Sequence, residues 1–258
     1  MFSKLMKHEI IATSRMYLLL FFVLTAFTVI AGLCGMIHTT NPILRFIPGT
    51  IFVVYIIVLV GSLFACVAIP PVRFYKHLLT SEGYLTFTLP CTTNQIISVK
   101  MTVTMIWTVL TLSLCFLSAK WVLWIHYKIN IVKKLVTSMV NAEPDILLIA
   151  LTILAIVIVF FYQTAIFYLS IGFGQLFHSK VLFSIVGYFL IYFALQFVNL
   201  ILLLGIAIFS DFNAIGEFIE TRTGALIFLS FIDLLLLVYG IISLQLTKRI
   251  FQKKLNLE

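Results

Sequence analysis

The stretch 146-ILLIALTILAIVIVFFYQTAIFYLSIG-172 runs for 27 residues without a charged side chain or a proline. A helix of roughly 20 apolar residues is long enough to cross the hydrocarbon core of a bilayer. A helix also satisfies its backbone N–H and C=O groups internally, which lipid requires of any segment that crosses it. Residues 146–172 therefore predict a membrane-spanning helix.

Five further apolar stretches of similar length flank this one along the chain. They cover residues 16–37, 51–70, 101–119, 181–209 and 225–246. Of the 258 residues, 62% are hydrophobic and only 10% are charged, whereas soluble domains are roughly 45–50% apolar. The sequence thus predicts an all-α, polytopic membrane protein with six transmembrane helices, forming a single membrane domain over residues 1–258 with no attached soluble domain.

Three segments outside these spans have an amphipathic pattern. Residues 1–15 predict a short interfacial elbow helix that leads into the first span. Residues 120–141 contain four lysines and two tryptophans, which favours an external helix lying at the membrane interface. Residues 71–100 form the loop between the second and third spans, and Thr92 or Thr93 can cap the helix that follows.

The net charge of +8 reflects lysines and arginines that cluster outside the spans. With the N-terminus inside the cell, 11 of the 17 basic residues fall on the cytoplasmic side. The positive-inside rule therefore favours cytoplasmic N- and C-termini. The basic residues are not interleaved with aromatic residues on a soluble domain, so a nucleic-acid partner is not predicted.

Sequence motifs of catalysis are missing from the chain. It has no GxxxxGK[ST] phosphate loop, no HExxH and no GxSxG. The four cysteines are widely spaced, and the five histidines lie at or beyond the ends of the spans. We therefore expect no catalytic residue, no metal site and no cofactor bound by this chain.

A few polar side chains lie within the predicted spans. Asp233 is the one ionisable group well inside a span, where a carboxylate costs roughly 2.5–3.5 kcal/mol on insertion scales. Either it is functional or it ties the helices together, for example by bonding Ser230. Gln163, Gln196 and Asn199 are either interhelical hydrogen-bonding residues or the lining of a substrate path, and the last two share one helix face.

The loop 71-PVRFYKHLLTSEGYLTFTLPCTTNQIISVK-100 carries an ordered set of residues. The set is an acidic residue with a glycine, a leucine with a proline, and a lysine that opens the third span: Glu82-Gly83, Leu89-Pro90 and Lys100. Together with the basic, amphipathic N-terminus and the six spans, this set resembles the permease subunits of type-2 ABC exporters. The resemblance is to the small six-span bacterial group whose ATPase is a separate polypeptide.

The resemblance implies that residues 81–90 form a cytoplasmic coupling helix that docks in a groove of the ATPase. The ATPase-coupling residues would be Glu82, Gly83, Tyr84, Leu85, Phe87, Leu89 and Pro90. Tyr84, Leu85 and Phe87 would be the apolar anchors of that interface, and Glu82 would orient it. A loop that simply caps the bundle is the alternative.

The resemblance also implies the partners and the location of the protein. ATP and Mg²⁺ would be held by separate ATPase subunits, and a second permease chain, identical or related, would complete the pathway within the lipid of a bacterial plasma membrane. The apolar spans favour an amphipathic or hydrophobic cargo such as an antimicrobial peptide, a drug or a lipid-linked molecule. Two other function classes remain open: an ion-coupled secondary transporter or channel, and a non-transporting scaffold or sensor subunit.

Overall fold

The computed structural model describes residues 2–36, 42–79, 91–127, 146–177, 179–209, 216–218 and 221–253. Six of its helices are long and apolar enough to cross a membrane. They are α1 (Phe2–Gly35), α2 (Pro42–Leu79), α3 (Thr93–Tyr127), α4 (Ile146–Gly174), α5 (Lys180–Phe209) and α6 (Arg222–Lys253). The prediction of a multi-pass helical membrane protein is confirmed.

Helices α2 and α3 are much longer than a membrane crossing requires. The 38 residues of α2 correspond to about 57 Å at about 1.5 Å per residue, against a hydrocarbon core of about 30 Å. Helix α2 continues through Pro70 and Pro71, although each proline lacks the N–H of a helical hydrogen bond. The loop predicted over residues 71–100 is therefore shorter, because 71–79 belong to α2 and 93–100 to α3.

The N-terminal segment is continuous with the first span. No glycine or proline occurs between residues 2 and 31, and α1 runs unbroken to Gly35, so residues 2–15 do not form a separate helix. Trp107 Nε1 donates to Thr13 Oγ1 at 2.8 Å, and the Trp107 ring stacks on Tyr17 at 4.9 Å. These contacts attach the N-terminal turns of α1 to α3, while their position at the membrane interface stays a prediction.

The start of α3 has a reciprocal cap. The backbone N–H of Gln95 donates to Thr92 Oγ1 and the backbone N–H of Thr92 donates to Gln95 Oε1, each at 3.4 Å. A threonine followed three residues later by glutamine is the pattern of a capping box, in which two otherwise unpaired donors at a helix start are satisfied. The predicted capping role of Thr92 is confirmed.

The chain forms two compact units, and α2 and α3 each contribute to both. The first unit consists of Met1–Ile69 and Thr102–Ile146. Within it, α2 and α3 are joined by three hydrogen-bonded pairs: Tyr55 with Ser118 at 3.0 Å, and two pairs of small side chains, Ser62 with Cys115 at 3.3 Å and Cys66 with Thr108 at 3.7 Å. Such pairs allow helices to approach closely in lipid and hold their register.

The second unit consists of Pro70–Met101 and Leu147–Glu258. Helices α4 and α6 run parallel in this unit. Phe161 of α4 lies against Gly240 of α6, and Gly172, further along α4, lies against Phe251, further along α6. Helix α5 returns beside α4 after a tight turn. A Cβ atom on Gly174 would lie 2.6 Å from the backbone carbonyl oxygen of Lys180, so only glycine allows this approach.

The end of α2 is anchored in this second unit by Phe74. Its side chain is 1% exposed, and its ring stacks on Tyr168 of α4 at 4.0 Å and meets the edge of Phe251 of α6 at 5.6 Å. At the start of α3, Met101 Sδ accepts a hydrogen bond from Thr164 Oγ1 of α4 at 3.5 Å. The helical segments on both sides of residues 80–90 are thus packed against the helices that follow them in the chain.

Candidate functional site

Two of the predicted intramembrane polar residues connect different helices of the second unit. Gln163 of α4 donates from Nε2 to the Tyr188 hydroxyl of α5 at 2.7 Å. The Tyr239 hydroxyl of α6 donates to Asn199 Oδ1 of α5 at 3.0 Å. Side-chain hydrogen bonds between helices stabilise bundles in lipid, typically by about 0.6 kcal/mol each. The two bonds therefore tie α5 to both of its neighbours.

Gln196 has a different arrangement from these two residues. Its Nε2 donates to the Tyr192 hydroxyl at 3.1 Å, one helical turn away on the same helix, and both side chains are exposed. The bond therefore does not join two helices. It leaves the Gln196 carbonyl oxygen on the surface of α5.

Four tyrosines surround the amide side chains, and we call Tyr162, Tyr188, Tyr192 and Tyr239 the tyrosine belt. The ring centroids of Tyr162 and Tyr239 are 6.4 Å apart, and those of Tyr188 and Tyr192 are 6.2 Å apart. The belt places hydroxyl groups of α4, α5 and α6 among otherwise apolar side chains. Sequence reasoning missed these tyrosines, although Tyr188, Tyr192, Gln196 and Asn199 follow at helical spacing on one face of α5.

Asp233 lies six residues before Tyr239 on α6, or about 9 Å along the helix axis. Its side chain is 5% exposed, and neither carboxylate oxygen has a hydrogen-bond partner among the described residues. Ser230, which the sequence suggested as a partner, donates instead to the backbone carbonyl of Leu226 at 2.6 Å. Asp233 is therefore a buried carboxyl group whose polar atoms the described part of the chain leaves unused.

The predicted coupling residues, from Glu82 to Pro90, lie outside the described residues, as does the segment 128–145. Within the described residues, no three His, Cys, Asp or Glu side chains are grouped as they would be around a metal ion. The four cysteines are free thiols, of which Cys66 and Cys115 are buried. The tyrosine belt and the amides bonded to it are thus the candidate site that the described residues present, and Asp233 is a separate buried polar group on α6.

Comparison with models of known protein families, with curated proteins and with solved structures gave no match.

The bond between Tyr239 and Asn199 can be measured by a double-mutant cycle. We expect Tyr239→Phe and Asn199→Leu to show a coupling energy of about 0.6 kcal/mol, the average for such bonds in membrane proteins. The measurement is unfolding of the purified protein in mixed micelles. The pair Tyr192→Phe and Gln196→Leu is the control, because its bond is exposed and within one helix. A coupling energy of zero for Tyr239 and Asn199 would show that the bond between α5 and α6 contributes nothing.

Proposed function

We propose that this protein is the transmembrane permease subunit of an ATP-driven ABC exporter whose ATPase is a separate chain. The observation that supports this most is the length of α2 and α3 together with their anchoring. Both helices are longer than a membrane crossing requires, and α2 ends and α3 begins close in sequence to residues 80–90. Phe74 near the end of α2 packs against α4 and α6, and Met101 of α3 contacts α4.

The physical requirement behind this proposal is a rigid connection between a soluble ATPase and helices in the membrane. An ATPase dimer can drive transport only if a part of the permease moves with it. A helix that continues without a break transmits displacement along its axis, and packed aromatic side chains resist being pulled apart. Movement of residues 80–90 would therefore be carried by Phe74 to α4 and α6, which hold Tyr162, Tyr239 and Asp233.

The chemistry of the candidate site favours an amphipathic or hydrophobic cargo. The tyrosine belt and the amides offer hydroxyl, N–H and C=O groups, while Asp233 is the one buried acidic side chain among the described residues. Such a surface suits a molecule with a long apolar body and a few polar groups, such as a membrane-active peptide, a drug or a lipid-linked molecule. In this proposal two permease chains and two ATPases assemble in a bacterial plasma membrane, with both termini in the cytoplasm.

The test is transport by the protein reconstituted in liposomes together with the ABC ATPase that the proposal requires, which is to be sought first in the neighbouring reading frame. The probes are a cationic membrane-active peptide, an amphipathic dye and a labelled lipid-linked sugar. We expect flux of at least one probe that requires ATP hydrolysis. Flux without ATP would instead support an ion-coupled transporter or channel. Stable assembly with no flux of any probe would support a scaffold or sensor.

The Phe74 anchor makes a further prediction. Phe74→Leu keeps an apolar side chain but removes two ring contacts, each worth about 0.5–1.5 kcal/mol. We expect ATP hydrolysis by the reconstituted complex to persist while flux per ATP falls about fivefold, because the end of α2 is held less firmly. Phe64→Leu is the control on the same helix, since Phe64 is 73% exposed. If both variants transport equally well, Phe74 does not transmit motion.

A further inference from the structure

A lateral groove lies between the end of α2 and the start of α5, within the second unit. The groove has two adjoining parts, with volumes of about 450 and 560 Å³. Both parts are lined by Tyr75, Val181 and Ile185. Volumes in this range are typical of sites for small molecules, which run from about 300 to 1,000 Å³. Phe167, Ser170 and Ile171 of α4 form the floor of the first part. We call the two parts together the α2–α5 groove.

The walls of this groove are mostly apolar, and three of its polar side chains are hydrogen-bonded within the chain. The Ser170 hydroxyl donates to the Phe167 carbonyl at 2.8 Å, and the Ser184 hydroxyl donates to the Lys180 carbonyl at 2.7 Å. The Tyr188 hydroxyl accepts a hydrogen bond from Gln163. A ligand in the groove therefore meets methyl, methylene and ring surfaces along most of its length.

Each part of the groove has one basic residue in its lining. Lys76 lines the first part from α2, and Lys180 lines the second part from the first residue of α5. The unpaired N–H groups and the dipole of a helix start also favour an anion at that position. The groove thus combines a long apolar surface with one basic side chain in each of its two parts.

We propose that the α2–α5 groove binds an anionic phospholipid of the surrounding bilayer, with an acyl chain along the apolar walls and the phosphate between Lys76 and Lys180. Two observations select a membrane lipid as the occupant. The groove opens sideways on helices that span the bilayer, with Val181 and Ile185 more than half exposed. The charged side chains in its lining are both basic, and basic pockets between transmembrane helices attract anionic headgroups. The assignment does not depend on the ATPase partner.

The test is native mass spectrometry of the full chain, delipidated in detergent and titrated with phosphatidylglycerol or with phosphatidylcholine of the same acyl chains. We expect wild type to prefer phosphatidylglycerol. A lysine near an anionic lipid surface contributes roughly a fivefold change in binding, so Lys76→Gln with Lys180→Gln should weaken phosphatidylglycerol binding by roughly 25-fold. Ile185→Trp, which fills the groove, should lower retention of this lipid at least fivefold.

Two control variants separate the groove from general surface charge and from damage to α5. Lys248→Gln with Arg249→Gln removes the same net charge from the end of α6, outside the groove, and should keep the preference for phosphatidylglycerol. Ile201→Trp changes a side chain on α5 that is 55% exposed, against 56% for Ile185, and should retain the lipid. Equal losses in the two charge variants would overturn the proposal, and so would full retention by Ile185→Trp.

Discussion

Replacing Tyr84, Leu85 and Phe87 together with aspartate is expected to abolish co-purification of the partner ATPase, with at least a hundredfold loss of affinity. Each buried apolar anchor of an interface typically costs about 2 kcal/mol or more when it is removed, and about 1.4 kcal/mol corresponds to a tenfold change. Carboxylates would in addition have to be desolvated without partners. The measurement is a pull-down of the ATPase by the tagged permease, followed by assay of ATP-dependent flux.

The matched control at these positions is Tyr84→Phe with Leu85→Met, with Phe87 left unchanged. It preserves apolar surface and should keep ATPase binding within a few fold, because volume-conserving apolar changes are usually tolerated. Unfolding of both variants in micelles shows whether the permease itself is intact. If the aspartate variant is folded and still retains the ATPase, residues 81–90 do not couple the two proteins.

Hydropathy predicted the bounds of two helices closely, because in both the helix ends where the apolar sequence ends. The run expected at residues 146–172 is helix Ile146–Gly174, and the run expected at 181–209 is helix Lys180–Phe209. Charged residues and tight turns bound both runs, so apolar run and helix coincide. Helices α2 and α3 are longer than their predicted spans. Hydropathy indicates only the apolar part of a helix, whereas the helix can continue where its side chains pack against other helices.

The end of α2 shows why this extension could not be predicted. Pro70 and Pro71 indicated a helix end, since a proline removes an intrahelical hydrogen bond. Burial of Phe74 between Tyr168 and Phe251 is a tertiary contact with residues far along the chain. Local sequence carries no information about that contact. The N-terminal segment and the first span form one helix for a simpler reason. The sequence changes from charged to apolar after Arg15, but such a change does not end a helix.

The candidate site was predictable in part, for the same reasons. Gln163, Asn199 and Asp233 stand out because polar side chains are costly in lipid. Tyrosine is common near membranes and gives no such signal, so the belt that bonds to the amides was missed. Which hydroxyl bonds to which amide depends on how α4, α5 and α6 pack, and this cannot be derived from one helix face at a time.

Asp233→Leu is expected to make the protein more stable and less active. A carboxyl group within a span costs roughly 2.5 kcal/mol or more when nothing compensates it, and the described residues offer its oxygens no hydrogen bond. Leucine should therefore raise the free energy of unfolding by roughly 2 kcal/mol, once the fit of its shape is taken into account. We expect ATP-driven flux to fall at least tenfold, because the group that can bond to polar or cationic parts of the cargo is lost.

Asp233→Asn separates the charge of this side chain from its hydrogen-bonding capacity. If the carboxylate attracts a cationic cargo, the asparagine variant should lose transport of the cationic peptide and keep that of the uncharged lipid-linked sugar. A buried carboxyl group that has no hydrogen-bond partner among the described residues fits a functional role, since residues that serve function often lower stability. The opposite outcome is as informative: if Asp233→Leu destabilises the protein, the carboxyl group holds the bundle together through residues outside the described part of the chain. In that case the cargo path must be sought at the tyrosine belt alone.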